Sequence, residues 1–590
     1  MYIVKKKIGK GEYYYLRKSQ RVKGKVKSKS VAYLGKDLKE AEKKAREIES
    51  KVDRKVSTDE AKDLIIQKKK KESMGEKTSD EFETGETKEF LSFVREGGLI
   101  WGPEPEIYGG MAGFYTYGPL GKLLKNKVEN SVRRVFNTFG FRELEGPTVM
   151  PDNVWEASGH LKTFKDRIIK CKNCESVFRA DKLIEEKFDV AADAFSDKKL
   201  LDFIKEKDIK CPSCKGGFEM KIEAQSLMMK TEVAGEEASL RPETATVTYL
   251  PYLNFYNYFR KKLPFGVFQI GKAYRNEISP RQSVLRGREF TQAEGQIFVD
   301  PEEKNNWEGF EEIKKENLPF WDHKAQEKDY ERKEFSVEDA LKKGLIKSQA
   351  YGWCIYLAYM HFINFGIPKE KIRLRQHHPD EKAFYADDAW DVEIQLNNYG
   401  WTEVCGVHDR TDYDLTQHGK ASGEKLEAQR ENGESFVPHV LEIAFGTDRP
   451  TYALIDLFYE KKGEEEGKTV FAIPYHMAPI DVSVFPLMKK PELVKLAKDV
   501  QLELERDFIV VYDGSGSIGR RYLRSATAGT PFAVTVDYDS LEGNDVTIRD
   551  RDSEKQVRVK VRDLRDVLDK LIKGEVLVDD IGKEVDTRKK

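Results

Sequence analysis

Two stretches of alternating apolar and polar residues, VFQIGKAYRNE (267–277) and REFTQAEGQIFVD (288–300), flank a loop rich in arginine. Period-two alternation on both sides of a polar connection predicts paired strands, so the chain must be built around a sheet there. Arg275 and Glu277 precede the loop, Arg281, Arg286 and Arg288 lie in it, and Phe290 and Glu294 follow at four-residue steps from Arg286. Guanidinium groups on a strand and its loop can grip phosphate oxygens bidentately. A phenylalanine face can stack on a nucleobase, and a carboxylate farther along can hold a cationic amine. Such a device fits a nucleotide and an amino acid in one pocket. The competing reading is an arginine-rich hairpin on a solvated face.

The rest of the 590-residue chain is long enough for several domains with full cores. Its net charge of −1 creates no global field for a polyanion, so any nucleic-acid affinity must come from local patches. No apolar run approaches a membrane span, and MYIVKKKIGK lacks the apolar core of a signal peptide. A cytoplasmic protein without membrane partners is the expectation. Of six cysteines, Cys354 and Cys405 sit singly in apolar strings and read as buried, inert thiols. The other four form two pairs, Cys171/Cys174 and Cys211/Cys214, with thirty-six residues between the pairs. Paired CxxC knuckles suit tetrahedral Zn²⁺, and a reducing cytoplasm disfavours disulfides. Four thiolates fill the shell, which makes the expected role structural.

Residues 1–72 read as a basic extension. Eleven lysines and arginines face one acid, Glu12, in the first thirty-five residues, with tyrosines interleaved. Alternation in VKGKVKSKSVAYLG predicts short strands, and Leu38, Ala41, Ala45, Ile48 and Val52 mark an amphipathic helix. A further helix is expected near 58–71. The pattern suits an RNA backbone and a plain solvated surface equally. Residues 73–88 read as a polar linker. A core spans 89–462, interrupted at 165–223 by the cysteine segment and at 301–350 by a charged, helical segment. Residues 122–136 predict a helix, with a strand in FRELEGPTVM after it. A charged hinge at 463–468 leads to 469–590, where alternating strands and helices predict a mixed sheet with flanking helices.

Several longer strings, in order, resemble class II aminoacyl-tRNA synthetases, in their glycyl-tRNA synthetase version: EIYGGMAGFYTYGPLG (106–121), LRPETA (240–245), FGVFQIGKAYRNEISPRQ (265–282), REFTQAE (288–294), DRTDYDL (409–415) and DGSGSIGRRY (513–522). The resemblance implies an α+β fold: an antiparallel catalytic sheet with helices, a zinc-ribbon-like insertion and a C-terminal α/β anticodon-binding domain. It implies ATP-dependent activation of glycine and transfer of the glycyl group to tRNA, with ATP, Mg²⁺ and structural Zn²⁺ as cofactors. The helix 122–136 and the strand in FRELEGPTVM, with Pro147 as its proline, resemble the motif that forms the dimer interface in that class, so a homodimer is implied.

The resemblance also assigns roles. Arg275 would bind the α-phosphate and stabilise charge at the reacting centre, Glu277 would help read the base, and Phe290 would stack on adenine. Arg286 would reach the far phosphates, and Arg449 would cover the other side of adenine and touch the γ-phosphate. Glu403 and Glu442 would hold Mg²⁺. Glu243 and Glu294 would take the ammonium of glycine, with Arg410 and Ala444 also in that pocket. Arg520, Arg521 and Arg524 would contact tRNA.

The chain departs from the family pattern at several of these places. Ala444 stands where the family has a serine that assists glycine binding, Gln296 where it has a glutamate, Thr246 where it has a glutamine, and His408 where it has an alanine. Losing one hydroxyl hydrogen bond typically costs about 0.5–1.5 kcal/mol, and Ala444 leaves more room for alanine. Ser525–Ala528 replaces an acidic run in the anticodon domain. Two alternatives therefore stay open: a diverged paralogue charging another small amino acid or an unusual tRNA, and a catalytically weak RNA-binding regulator.

Overall fold

The computed structural model describes Tyr2–Ile8, Gly11–Val22, Lys25–Gly35 and 87–585, except 186, 189, 191, 193–194, 279, 281, 329, 380, 383–385, 462–468 and 583. The helices expected at 38–52 and 58–71, most of the linker, the 463–468 hinge and Arg281 lie outside the described residues. The chain divides into two compact units, 1–83 and 84–590. In the first, Tyr2–Ile8, Gly11–Val22 and Lys25–Gly35 pair as an antiparallel meander, with Ile8 opposite Gly11 and Val22 opposite Lys25.

The second unit is organised by a sheet of nine described strands. In chain order they are β1 (Arg142–Glu143), β2 (Phe265–Tyr274), β3 (Glu289–Val299), β4 (Asn317–Trp321), β5 (Lys333–Ser336), β6 (Ile372–Gln376), β7 (Asp388–Leu396), β8 (Gly400–Asp409) and β9 (His439–Gly446). Side by side they run β5-β4-β6-β7-β8-β9-β3-β2-β1. All neighbours are antiparallel except β1–β2 and β4–β6. The two alternating stretches around the arginine loop are β2 and β3, in register from Phe265–Phe298 to Tyr274–Glu289.

Helices α1 (Pro119–Thr138), α2 (Gln349–Asn364) and α3 (Asp448–Phe458) cover this sheet. α1 starts on a proline at its first turn, where no N–H is missed. Its buried Leu124, Val128, Val132, Val135 and Phe136 recur at helical spacing. Phe136 stacks on Phe268 of β2 at 4.8 Å. It also lies against Gly295 of β3, where an added Cβ would come within 2.5 Å of its ring. α2 is apolar on nearly every side and sits in the core with Trp353, Leu357 and Phe362 buried. Because side chains alternate across a strand, Phe268, Gly295 and Phe445 meet the helices, while Gln269, Glu294 and Ala444 belong to the opposite face.

The structure corrects two expectations. Segment 301–350 is not simply helical: among short helices it contributes β4 and β5 to the sheet edge, because LPFW finds β6 as a partner and KEFS in turn pairs with β4. The strand expected in FRELEGPTVM is broken into Arg142–Glu143 and Val149–Pro151. Gly146 between them lies so close to Val247 that a Cβ there would come within 2.5 Å of it.

Segment 165–223 forms a small sheet, with Lys165–Lys170 between Val177–Arg179 and Glu223–Ser226. It has its own core of Ile169, Phe178, Leu183, Leu200 and Ile204. In the C-terminal region β10 (Val482–Pro486), β11 (Val510–Tyr512), β12 (Phe532–Val536), β13 (Asp545–Asp550) and β14 (Gln556–Lys560) run β11-β10-β12-β13-β14. The first three are parallel and the rest antiparallel. This is the mixed sheet that the alternation predicts.

Candidate active site

One face of β3, β8 and β9, with Asp391 of β7 and the loop that follows β2, floors a cleft of about 710 Å³. Arg275, Glu277, Arg286, Phe290, Glu403, Glu442, Arg449, Glu243, Glu294, Arg410 and Ala444 all line it. Strand register explains this convergence of residues scattered over two hundred positions. Glu294 lies opposite Ala444, and Ala444 opposite Gly406. One row on, Gln296 lies opposite Glu442, and Glu442 opposite His408.

One end of the cleft is cationic. Arg275 donates from Nε to the carbonyl of Pro242 at 3.0 Å. Its guanidinium lies 5.4 Å from the ring of Phe290 and 5.4 Å from that of Phe164. Two apolar rings and one carbonyl fix the side chain, and among the described residues its terminal nitrogens stay available. Arg286 donates to Glu277 at 2.9 Å. Arg449 donates to Leu285 O at 3.3 Å, to Glu403 O at 2.7 Å and to Glu403 Oε1 at 3.2 Å. Arg449 is anchored by its neighbour Asp448, which is buried at the start of α3. Asp448 accepts from the backbone N–H of Thr291 at 2.6 Å and from Tyr117 at 2.7 Å, and pairs with Lys125 of α1. This brace ties α1, β3 and α3 together; its only sequence signal is the acid beside Arg449.

The other end is acidic. Glu294 is 3% exposed and accepts from Gln292 Nε2 at 2.9 Å and from Thr244. Burial, with Glu442 and Glu243 close by, pushes its carboxyl up to about 8. Glu243 accepts from Thr246 Oγ1 at 2.7 Å and lies 3.4 Å from His160 Nε2. Burial opposes its ionisation, but His160 and Arg410 outweigh that and hold it well below the usual carboxylate range. Glu442 accepts from Tyr249 at 2.9 Å and from Arg410 Nη1 at 3.3 Å, and Arg410 is clamped by Asp414 at 2.7 and 2.8 Å. Burial is again outweighed, by Arg410 and His408, and the Glu442 carboxyl falls to about 2. Three carboxylates thus crowd one pocket, the carboxyls of Glu243 and Glu442 lowered and that of Glu294 raised. A single cation entering among them relieves the repulsion.

Two assigned residues stand in surroundings that the sequence does not reveal. Glu442, expected to hold Mg²⁺, accepts from Arg410 and Tyr249 in the floor of the acidic end. The acid near Glu403 is Asp391 of β7, which lines the cleft and accepts from His377 Nε2 at 2.9 Å. Arg521 is 2% exposed and donates to Gly516 O at 3.1 Å and to Pro486 O, bracing β10. It shares the inward face of helix Ile518–Thr527 with buried Ser525, four residues on. Arg520 is exposed, and Arg524 is exposed and donates to Asp513 at 3.0 Å and Ser515 O at 2.6 Å. Sequence reasoning also passed over His160, Tyr249, His377 and Asp391, which carry no motif, and Thr244, which lies within LRPETA; each enters only through the fold.

The four paired cysteines meet outside the cleft, with all sulfurs within 4.8 Å of one another. Cys171 and Cys214 are 3.5 Å apart, and Cys174 and Cys211 3.7 Å. A tetrahedron with metal–sulfur bonds of about 2.3 Å has edges of about 3.8 Å, so the donor set fits Zn²⁺. Among the described residues no helix is long and apolar enough to cross a membrane.

A nine-strand, mostly antiparallel sheet carrying an arginine-and-phenylalanine cleft, followed by a small mixed α/β domain, defines a class II aminoacyl-tRNA synthetase. The family model "tRNA synthetase class II core domain (G, H, P, S and T)" matches residues 229–458, and "Anticodon binding domain" matches 481–571. The chain is 38% identical to the glycine–tRNA ligase of Thermococcus kodakarensis, over 82% of this chain and 97% of the relative. The corresponding enzyme of Pyrococcus furiosus is 38% identical over 82% and 99%, and that of Methanothermobacter thermautotrophicus 37% over 82% and 98%. The chain belongs to the glycine–tRNA ligase family. Its fold is also similar to a prolyl-tRNA synthetase from Cryptosporidium parvum, with a TM-score of 0.51 at 13% identity over 82% of this chain and 77% of that one.

Proposed function

We infer that the cleft activates glycine with ATP and that the chain passes the glycyl group to the 3′ end of a glycine tRNA. The observation that carries this reading is the sharing of one cleft by phosphate-gripping guanidiniums at one end and a cation-seeking carboxylate cluster at the other. ATP would lie folded across Phe290, with its α-phosphate at Arg275 and its far phosphates at Arg286 and Arg449. Entering phosphates would compete with Glu277 and Glu403 for these two arginines. The glycine ammonium would sit between Glu243 and Glu294. Its carboxylate oxygen then attacks the α-phosphorus in line and the bond to pyrophosphate breaks; no protein nucleophile is needed. Positioning and charge neutralisation supply the rate. Mg²⁺, when bound, neutralises the outer phosphates, and Glu403 with Asp391 is the carboxylate pair suited to it.

Zn²⁺ on Cys171, Cys174, Cys211 and Cys214 serves to fold the 165–223 module. Arg520 and Arg524 remain the candidates for tRNA contact in the anticodon domain. The implied homodimer is supported by an apolar tip, Ile107 and Tyr108, exposed at 89% and 82%. That loop is tied to the arginine loop through Arg288, which donates to Ala112 O at 3.1 Å.

Glycine-dependent ATP–pyrophosphate exchange, followed by charging of glycine tRNA transcripts, tests the reading. Robust exchange with glycine and charging of that tRNA is expected. Exchange with alanine or serine in place of glycine would point to a paralogue. Absence of exchange alongside tight RNA binding would point to a regulator.

A further inference from the structure

Four positions at which the sequence departs from its family pattern are far apart in the chain: Thr246, Gln296, His408 and Ala444. The fold gathers them around the three carboxylates of the acidic end. Thr246 bonds Glu243 at 2.7 Å. Gln296 and His408 flank Glu442 in one row of the sheet, and Ala444 stands in the next row beside Glu294. Gln296 is fully buried, and its amide atoms have no hydrogen-bond partner among the described residues. It therefore supplies no charge to the substrate.

His408 differs from the other three because it is large and reaches the cleft. Its side chain is 21% exposed, and its Nδ1 lies 3.3 Å from Glu442 Oε1. The ring does not stand straight out from its own strand position. It leans along β8 over Gly406, so that a Cβ on Gly406 would meet its Cε1 at 2.6 Å. Gly406 is directly opposite Ala444, which is directly opposite Glu294. The imidazole therefore stands beside the Ala444 methyl, on the sheet face that holds the ammonium-binding carboxylate. It is buttressed from behind by His377, whose ring lies edge-on at 6.0 Å and is fixed by Asp391. A wall braced in this way resists displacement by a substrate side chain.

We propose that His408 is the specificity-determining residue of the amino-acid pocket, its imidazole closing the space beside Ala444 so that a substrate bearing a Cβ is excluded. The inference rests on the acidic end being the amino-acid site. In this chain the discrimination that a polar residue at 444 would share falls to the bulk of a neighbouring strand. Attraction alone separates substrates differing by one methylene by roughly 10–200-fold, so removing a steric wall is expected to cost at least the lower figure.

The test is ATP–pyrophosphate exchange with glycine, alanine and serine for the full-length wild-type chain, His408→Ala and His408→Gln. For His408→Ala, kcat/KM with alanine should rise at least tenfold in absolute terms, chiefly through KM, while glycine loses less than tenfold. His408→Gln, which keeps the bulk, should retain wild-type discrimination. If thermal melting shows His408→Ala unfolded, the smaller truncation His408→Asn is read by the same ratio. A parallel fall for glycine and alanine, or an unchanged alanine value, would overturn the proposal. Failure of the wild-type chain to exchange with glycine would instead overturn the reading of the pocket, so the two failures are distinguishable.

Discussion

Arg275 shows how a single side chain is prepared for its task. Two aromatic rings and the Pro242 carbonyl hold its stem and Nε, so the fork that would meet the α-phosphate is fixed before substrate arrives. Arg275→Lys keeps the charge but loses the planar fork. We expect exchange to fall by about 10²–10³-fold with melting unchanged; near-normal exchange would count against the assigned role. Glu294 makes a pH prediction. Burial and its neighbours Glu442 and Glu243 push its carboxyl up to about 8. A bound ammonium favours the ionised form, so below that pH glycine binding must expel a proton. The KM for glycine should therefore fall as pH rises from 6.5 toward 8, by up to about tenfold per unit, and then level off. In Glu294→Gln that slope should vanish; a slope that persists would assign the proton elsewhere.

At the scale of elements, legibility followed locality. β2 and β3 could be read because their alternation and the arginine loop are contiguous, and the cysteine knuckles because spacing alone brings two sulfurs together. The strand after α1 could not, because its two halves pair with different partners, Arg142–Glu143 with β2 and Val149–Pro151 with Glu236–Leu240, far away in the chain. β4 and β5 were hidden in a charged segment: β4 becomes a strand by pairing with β6, and β5 by pairing with β4. Arg521 was misread for a similar reason: its helix face is set by the sheet beneath it. His160, Tyr249 and Asp391 reach the site only through tertiary packing. The 165–223 module has a core of its own, but a small one, and metal ligation should supply much of its stability. Chelation should release one zinc per chain and raise hydrogen exchange across 165–223, with a lowered melting temperature. Metal-free protein that melts as before would contradict the site.

For the whole molecule, the chain divides into two compact units. The family match covers 82% of the chain, and the catalytic reading lives entirely in the unit from 84 onward. Within that unit the exposed Ile107–Tyr108 tip is joined by Arg288 to the loop that carries the phosphate arginines. A second copy covering this tip would link assembly to the order of the active site. Ile107→Asp should shift the sedimentation of the protein from dimer to monomer and lower exchange. A variant that still sediments as wild type would place the dimer contact elsewhere, and a monomeric wild type would remove it.

One relation underlies these readings: the cationic and acidic ends of the cleft serve a single ligand. A non-hydrolysable glycyl-adenylate analogue tests it directly by calorimetric titration. The analogue should bind one to one, compete with both ATP and glycine, and lose at least tenfold in affinity in Arg275→Ala and, independently, in Glu294→Gln. Binding that competes with only one of the two substrates, or that is indifferent to either substitution, would mean that the two ends do not form one site.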